Sequence, residues 1–363
     1  MAGSGHLRVG HLDLERLEVD GYEQVVRCRS TASGLDAVVA VHSTVLGPAL
    51  GGTRFHRYDT FDEALTDVLR LAAGMTSKAA VAGLDQGGGK AVILGDPAEL
   101  RSDELILDYG RFVDSLGGAY LTAEDVGTTQ ADMDLIRSVT RFVTGVSEVL
   151  GGSGDPSPAT ALGLVHALGA LAAHRFGAPS LEGLHVAVSG VGKVGTALVE
   201  HLVERRAEVT IADVDDERVG ALVDAHGVAV ASPASIHTVV CDVFAPCALG
   251  GILNAQTIPE LQCAIVCGSA NNQLLEEADG DRLEAAGVLY VPDYVVNAGG
   301  IINIAEEWGG YDPARAAARI SAIGPTTTAV LQLAEAEGTT PAHAADRLAE
   351  RRIATALATR RDD

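Results

Sequence analysis

Aromatic side chains are scarce, at 4% with a single Trp, and no run of about 18 apolar residues occurs anywhere. The second absence excludes a membrane-spanning helix of ordinary length, and the N-terminal MAGSGHLRVGHLDLE lacks the apolar core of a secretory signal. A soluble cytoplasmic protein is the expectation. Positive charge is also short: 26 Lys and Arg face 49 Asp and Glu, for a net charge of -23. That balance repels nucleic acid and anionic membrane surfaces, so neither is expected as a partner. The five cysteines, Cys28, Cys241, Cys247, Cys263 and Cys267, form an odd set without zinc-pair spacing or an accompanying His cluster. They read as free thiols in a mostly aliphatic interior, and no metal is assigned.

What is present is aliphatic and rich in glycine: 47% of the 363 residues are hydrophobic and 42 are Gly. That length favours two domains, with a cleft between them as the natural place for a site. Tyr22–Cys28 and Leu35–Ser43 read as strands of a hairpin. Thr60 is placed to cap a helix running through Leu65, Val68, Leu69, Ala72 and Met75, with Glu63 reaching back. Strands follow at Lys90–Leu94 and Ala119–Ala123, with a helix over Asp103–Ser115 between them. The first α/β domain is expected to span 1–146. A Gly/Pro/Ser cluster at 151–158 reads as a hinge, with Pro158 suited to the first turn of a helix over Ala159–Phe176. Strands at His185–Ser189, Glu208–Ala212, Val239–Ala245, Ala264–Gly268 and Val288–Val291 then alternate with helices, the rhythm of a doubly wound, Rossmann-type parallel sheet over 147–334. A last helix, about 335–363, has Ala344, Leu348, Ile353 and Leu357 in its apolar stripe and is expected to pack back on the first domain.

Two features carry chemistry. Gly190-Val191-Gly192-Lys193-Val194-Gly195 is a G-x-G-x-x-G turn between a strand and a helix. Its first Gly permits the turn, the second lets backbone approach a pyrophosphate, and the third allows close helix packing. Asp213, ending the next strand at about the 20-residue spacing, suits ribose hydroxyls and would repel a 2′-phosphate, so NAD is favoured over NADP. Second, Lys78 and Lys90 lie in the Gly-flanked stretches Gly74-Met75-Thr76-Ser77-Lys78 and Gly87-Gly88-Gly89-Lys90 of a chain poor in lysine. One lysine could bind a carboxylate while the other, desolvated, acts as a base, with Asp125 at a strand end relaying protons. From spacing alone this signal is weak, and solvated surface lysines with a capping Asp are the favoured account.

These stretches, with Leu46–Arg54, Thr122–Thr128, Ala245–Gly250, Gly268–Asn272 and Pro292–Gly300, resemble the leucine and valine dehydrogenases of the glutamate/leucine/phenylalanine/valine dehydrogenase family over nearly the whole chain. The resemblance implies an N-terminal substrate and oligomerisation domain and a Rossmann-type NAD domain. It also implies reversible oxidative deamination of a branched-chain aliphatic L-amino acid (leucine, valine, isoleucine) to the 2-oxo acid, ammonia and NADH. By it Lys78 binds the substrate carboxylate, Lys90 is the general base and Asp125 assists proton transfer; hydride leaves Cα, water adds to the iminium and ammonia departs. Gly190 to Gly195, Asp213, Ala245, Pro246, Cys247, Asn271 and Asn297 would hold the cofactor. The substrate would meet Leu50, Gly51, Met75, Gly87, Ala123, Thr144, Asn272, Ile301 and Ile304. Glutamate-specific relatives carry lysine where Leu50 stands, so a second carboxylate would be buried unpaired here. Ala123 and Ile301 carry bulk where phenylalanine enzymes often have less. Leucine and valine enzymes typically have Val at 301 and 304, so the two Ile residues either shorten the pocket or are absorbed by a helix shift. Phenylalanine dehydrogenase, or a catalytically silent NAD-binding sensor, are the other readings. A homo-oligomer, dimer or octamer, is expected.

Overall fold

The computed structural model describes residues 6–362. It divides into two compact units, the first made of residues up to Asp155 with Ile304–Pro313 and the chain from Ala349 on, the second of Pro156–Asn303 and Ala314–Leu348. The change at Asp155 and Pro156 falls inside the Gly/Pro/Ser cluster. Residues 304–313, which the sequence pattern left with the second domain, belong to the first unit.

In the first unit β1 (His6–Val9), β2 (Leu12–Leu17), β3 (Gln24–Arg29), β4 (Asp36–Ser43) and β5 (Ala49–His56) precede the long helix α1 (Phe61–Val81). Then come β6 (Gly87–Leu94), α2 (Pro97–Leu100), α3 (Asp103–Ser115), β7 (Tyr120–Glu124) and α4 (Gln130–Arg137). The seven strands form one sheet in the order β1-β2-β3-β4-β6-β5-β7. Pairing is antiparallel from β1 to β6, whereas β5 runs parallel to both β6 and β7. Side chains alternate across it as strand geometry requires. Val38, Ala40 and Val92 face Ala64, Val68 and Ala72 of α1, whereas Val39, Ala91 and Ile93 pack with Ile106, Tyr109 and Phe112 of α3.

Local chemistry explains the helix ends. Thr60 Oγ1 accepts the Glu63 N–H at 3.2 Å and starts α1. The Glu63 carboxylate accepts the Asp59 N–H at 3.1 Å, one residue earlier than a closed capping box would have it. The β1–β2 hairpin has no counterpart in the sequence reading because edge β1 leaves Leu7 64% exposed and Val9 38% exposed, so its pattern lacks buried alternation. Strand β6 begins at Gly87, three residues earlier than expected. Gly87–Gly89 resembles a turn, yet a Cβ at Gly88 would lie 2.1 Å from Thr76 N, so the run is strand held close against α1.

The second unit opens with α5 (Ser157–Phe176), which carries Pro158 in its first turn. It continues through β8 (His185–Ser189), α6 (Lys193–Glu204), β9 (Glu208–Ala212), α7 (Asp216–His226), β10 (Ala229–Val230), β11 (Val243–Pro246), β12 (Ile265–Val266), α8 (Ala278–Ala285) and β13 (Leu289–Tyr290). Helices α9 (Asp293–Val296), α10 (Gly299–Ala305), α11 (Pro313–Ser321), α12 (Ile323–Glu337) and α13 (Pro341–Asp362) complete the chain, the end of α10 and much of α13 lying in the first unit. Six parallel strands run in the order β10-β9-β8-β11-β12-β13, the doubly wound arrangement in which the strand order reverses beside β8. Strands β11, β12 and β13 are shorter than their apolar runs, because residues such as Val239 and Cys263 enter the core without joining the ladder. Helix α13 buries Ala344, Ala345 and Ala349. Leu357, expected in that stripe, is instead 41% exposed. Arg352 of α13 donates to the carbonyls of Ala79, Ala80 and Leu84 at 3.2, 2.9 and 2.6 Å, satisfying the C-terminal end of α1. All five cysteines are free thiols. Among the described residues, no helix is long and apolar enough to cross a membrane.

Candidate active site

In the first unit the site is built around β5. Leu50 pairs with Gly88 and Thr53 with Ala91 of β6, while Gly52 pairs with Ala123 of β7. A Cβ at Gly51 would lie 1.8 Å from Gly89 O, and one at Gly52 2.8 Å from the Asp125 Cβ. The two glycines therefore let the flanking strands crowd β5. Across this gap the Lys90 ammonium donates to Asp125 Oδ2, with Lys90 only 7% exposed. The turn that carries Asp125 is fixed from three sides. Thr128 Oγ1 accepts the Asp125 N–H at 3.0 Å and donates to Thr53 O at 2.9 Å, while the Phe55 N–H binds Val126 O at 2.8 Å. Gly127 has a φ of +82°, and a Cβ there would meet Phe55 O at 1.9 Å.

Burial alone would raise the Asp125 carboxyl. The Lys90 ammonium and its hydrogen bond, the Val126 N–H and the Arg54 guanidinium outweigh it and hold Asp125 below the usual carboxylate range. Arg54 Nε lies 3.6 Å from Asp125 Oδ2, and Arg54 Nη1 donates to Asp67 Oδ2 at 2.8 Å. Tyr58 donates to the same Asp67 oxygen at 2.7 Å, its own hydroxyl pushed up to about 12 by burial and by that contact. Arg54, Asp67 and Tyr58 were not among the site residues expected from the sequence. Their signal was the Arg closing Gly51-Gly52-Thr53-Arg54.

Lys78 is half-buried near the end of α1. Thr76, two residues before it, touches Gly88, two residues before Lys90, so that turn of α1 lies against the strand bearing Lys90. Thr76 Oγ1 also meets His42 Nδ1 at 2.8 Å. Leu50 and Thr144 are wholly buried, Gly51, Gly87 and Ala123 are buried, and Met75 and Ile304 are half-buried. The Ile304 Cγ2 lies 4.0 Å from the Cβ position of Gly145, next to Thr144. Nearby, Glu307 accepts the N–H groups of Gly145 and Ser153 at 2.9 and 2.8 Å, anchoring the segment that follows Ile304. Sequence reading gave no signal for that anchor.

In the second unit the glycine turn has the geometry its spacing implies. Gly190 has a φ of +99°, and a Cβ at Gly195 would lie 2.0 Å from Gly190 O. Gly192 is the N-cap of α6 with no side-chain cap, and nothing stands within 4 Å of its Cβ position. The start of α6 therefore has no side-chain cap and borders open space at Gly192, which suits an anion. Asp213 Oδ2 accepts the Val191 N–H at 2.7 Å and Oδ1 the Asp215 N–H at 3.0 Å. Burial acts to raise Asp213, but these N–H groups and Arg218 prevail and keep it below its ordinary value. Each oxygen retains acceptor capacity for a hydroxyl. The Cys247 N–H binds Ser189 O at 2.7 Å, so Ala245-Pro246-Cys247 borders the turn at the ends of β8 and β11. Asn297, buried, donates to Asn271 Oδ1 at 3.0 Å and Ser269 O at 3.2 Å. Asn272, at φ +53°, gives its N–H to Asp293 at 2.8 Å. Ile301 is 9% exposed. An uncapped helix start, open space at Gly192 and an acid ending β9 fit a dinucleotide.

Comparison with known proteins shows the family. Residues 22–142 match the family model described as Glu/Leu/Phe/Val dehydrogenase, dimerisation domain, and residues 151–238 and 229–361 match that of glutamate/leucine/phenylalanine/valine dehydrogenase. The chain is 52% identical over 339 residues to a valine dehydrogenase of Streptomyces virginiae, covering 93% of this chain and 95% of that protein. It is 49% identical over 339 residues to a leucine dehydrogenase of Geobacillus stearothermophilus, covering 93% and 92%. Among solved structures, L-tryptophan dehydrogenase from Nostoc punctiforme superimposes with a TM-score of 0.84 at 42% identity, over 93% of this chain and 97% of that one.

Proposed function

The chain belongs to the glutamate/leucine/phenylalanine/valine dehydrogenase family and is an amino-acid dehydrogenase, and from that premise we propose that it deaminates branched-chain aliphatic L-amino acids reversibly with NAD. The observation that carries the reading is the partly buried Lys90–Asp125 pair across the glycine gap of β5. Gly190–Gly195 and Asp213 would hold NAD, which would supply the acceptor for the Cα hydride. Lys78 pairs with the substrate carboxylate through its ammonium. Lys90, when neutral, takes a proton from the water that adds to the substrate iminium carbon, and Asp125 exchanges protons with it and with the departing amine. The acid at Asp213 favours an unphosphorylated ribose.

Leu50 offers no cation to a second carboxylate, which argues against glutamate. Ala123, Thr144, Ile301 and Ile304 would shape an aliphatic pocket, with Met75, Gly87 and Asn272 completing the substrate's surroundings and Ala245–Cys247, Asn271 and Asn297 those of the cofactor. The likeness to a tryptophan dehydrogenase supports an aromatic substrate as the competing reading, against which the bulk of Ala123 and Ile301 counts. The family's dimerisation-domain description supports a homo-oligomer. The test is NADH formation from valine, leucine, isoleucine, 2-aminobutyrate, phenylalanine and tryptophan by the parent and by Lys90→Ala. Aliphatic substrates should lead, and Lys90→Ala should lose at least about a hundredfold in kcat while still binding NAD. Substantial deamination by Lys90→Ala would remove the base from the mechanism.

A further inference from the structure

The Asp125 carboxylate meets two cations at one oxygen. Lys90 donates to Oδ2, and Arg54 Nε lies 3.6 Å from the same atom. That Nε is buried and makes no hydrogen bond, so a strong donor is held just beyond bonding range of Asp125. A buried donor left short is costly, and its retention calls for a role. Arg54 is itself held from behind: Asp67 on α1 accepts from its Nη1 and from Tyr58, and Arg70 reaches the other Asp67 oxygen at 3.1 Å. The Lys90, Asp125, Arg54 and Asp67 charges therefore alternate and sum to zero.

We propose that Arg54 is a positioning residue, holding Asp125 ionised and oriented beside Lys90, with Asp67 setting how strongly Arg54 acts. The inference rests on the proton-transfer role given above to Lys90 and Asp125. When Lys90 gives up its proton, the sequence of charges loses its first cation. Arg54 then remains as the cation at Oδ2, so Asp125 stays an anion instead of taking a proton from solvent. Lys90 and Asp125 thus change state separately, as a base and its relay must. Arg70 and Tyr58 also meet Asp67, and the His56 ring meets that of Tyr58 edge-on at 5.2 Å; Glu124 precedes Asp125 in the chain, and Lys78 lies near the end of α1, the helix that carries Asp67.

Two substitutions push the cluster in opposite directions. Arg54→Gln removes a cation, so the Asp125 carboxyl titrates higher and the limb of kcat/KM that rises with pH moves to higher pH, each by about one unit. Asp67→Asn leaves Arg54 without its rear counterion, so both move lower by a similar amount, about one unit. Arg54→Lys keeps the charge and should leave both within about 0.3 unit of the parent. Asp125 is read directly by carboxyl-carbon NMR titration of the substrate-free protein, and the limb by steady-state rates. Opposed shifts for Arg54→Gln and Asp67→Asn support the proposal, whereas shifts of one sign, or none, overturn it, since loosened packing would act alike in both. If the NMR shifts are opposed and the kinetic limb stays fixed, Arg54 keeps its effect on Asp125 and the proton-transfer reading of Lys90 falls. Should Arg54→Gln fail to fold, Asp67→Asn measured against Arg54→Lys decides by the same sign.

Discussion

The glycine turn before α6 allows ligand binding and folding to be separated by two neighbouring substitutions. At Gly192 the backbone, with φ −65° and ψ −165°, is open to any L-residue, and an added Cβ meets nothing within 4 Å. Gly192→Ala should therefore fold normally. Slightly poorer capping by Ala and the reduced freedom of the unfolded chain oppose each other at about 0.5 kcal/mol apiece. The new methyl occupies the space through which a pyrophosphate would approach the uncapped start of α6. Holding the phosphate off by one methyl radius should weaken dinucleotide binding about 10- to 100-fold, or about 1.4 to 2.7 kcal/mol. At Gly195 the added carbon would lie 2.0 Å from Gly190 O, a backbone atom that must move and take the turn with it. Gly195→Ala should lose about 2 kcal/mol or more of stability as well as binding. Urea unfolding and calorimetric titration with NAD measure the two effects independently. If Gly192→Ala binds NAD within twofold of the parent, the turn is not where the phosphates sit, and the cofactor assignment fails with it.

Arg352→Ala removes two hydrogen bonds to carbonyls in the last turn of α1 and one to Leu84, just past its end. Discounted for partial exposure, the loss should be about 2 to 3 kcal/mol in urea unfolding, and an unchanged midpoint would mean that water caps α1 as well. Asp108 accepts from His11, Ser30, Ser33 and Arg111 at 2.7 to 2.9 Å, so Asp108→Asn should cost about 2 to 4 kcal/mol. Burial alone would raise Asp108, but those four donors hold it below the ordinary value of 3.8. Its contribution is therefore present above about pH 4 and lost as pH falls through the depressed folded value, and Asp108→Asn should flatten the acid limb of parent stability, a limb of equal slope in both proteins counting against this.

Most of the Rossmann-type unit was legible because its signals are local. Strand runs at His185–Ser189 and Glu208–Ala212 match β8 and β9 to the residue, and the glycine spacing fixes the turn between β8 and α6. The first unit was less legible, since its edges and close contacts depend on distant chain. Edge β1 buries little, and Gly87–Gly89 becomes strand only because Thr76 of α1 stands against Gly88. The candidate site divides in the same way. Lys78, Lys90 and Lys193 are all the lysines in the sequence, and each falls in a glycine-flanked motif, so scarcity made them visible. Arg54, Asp67 and Glu307 lie among many Arg, Asp and Glu residues and gain meaning only from what they touch.

The same close packing accounts for Gly51 and Gly52. Lys90 lies in β6 and Asp125 just past the end of β7, on either side of β5, and neighbouring strands stand about 4.8 Å apart, so the two backbones are separated by about 10 Å. Neither a lysine nor an aspartate spans that distance alone, and any side chain rising from β5 between them would occupy the path. At Gly52 even one carbon would sit 2.8 Å from the Asp125 Cβ, and at Gly51 it would strike the backbone just before Lys90. The ion pair is thus possible only because β5 is bare at this point. The loss of strand propensity that two adjacent glycines bring is offset by the neighbours that take their place: the Tyr120 hydroxyl donates to Gly51 O at 2.6 Å, and the Thr53, Thr122 and Tyr109 hydroxyls bond one another beneath. A buried polar layer under a bare strand leaves the Lys90–Asp125 pair as the group that fills the gap above it, which is the geometry in which a carboxylate can relay protons for a neighbouring amine.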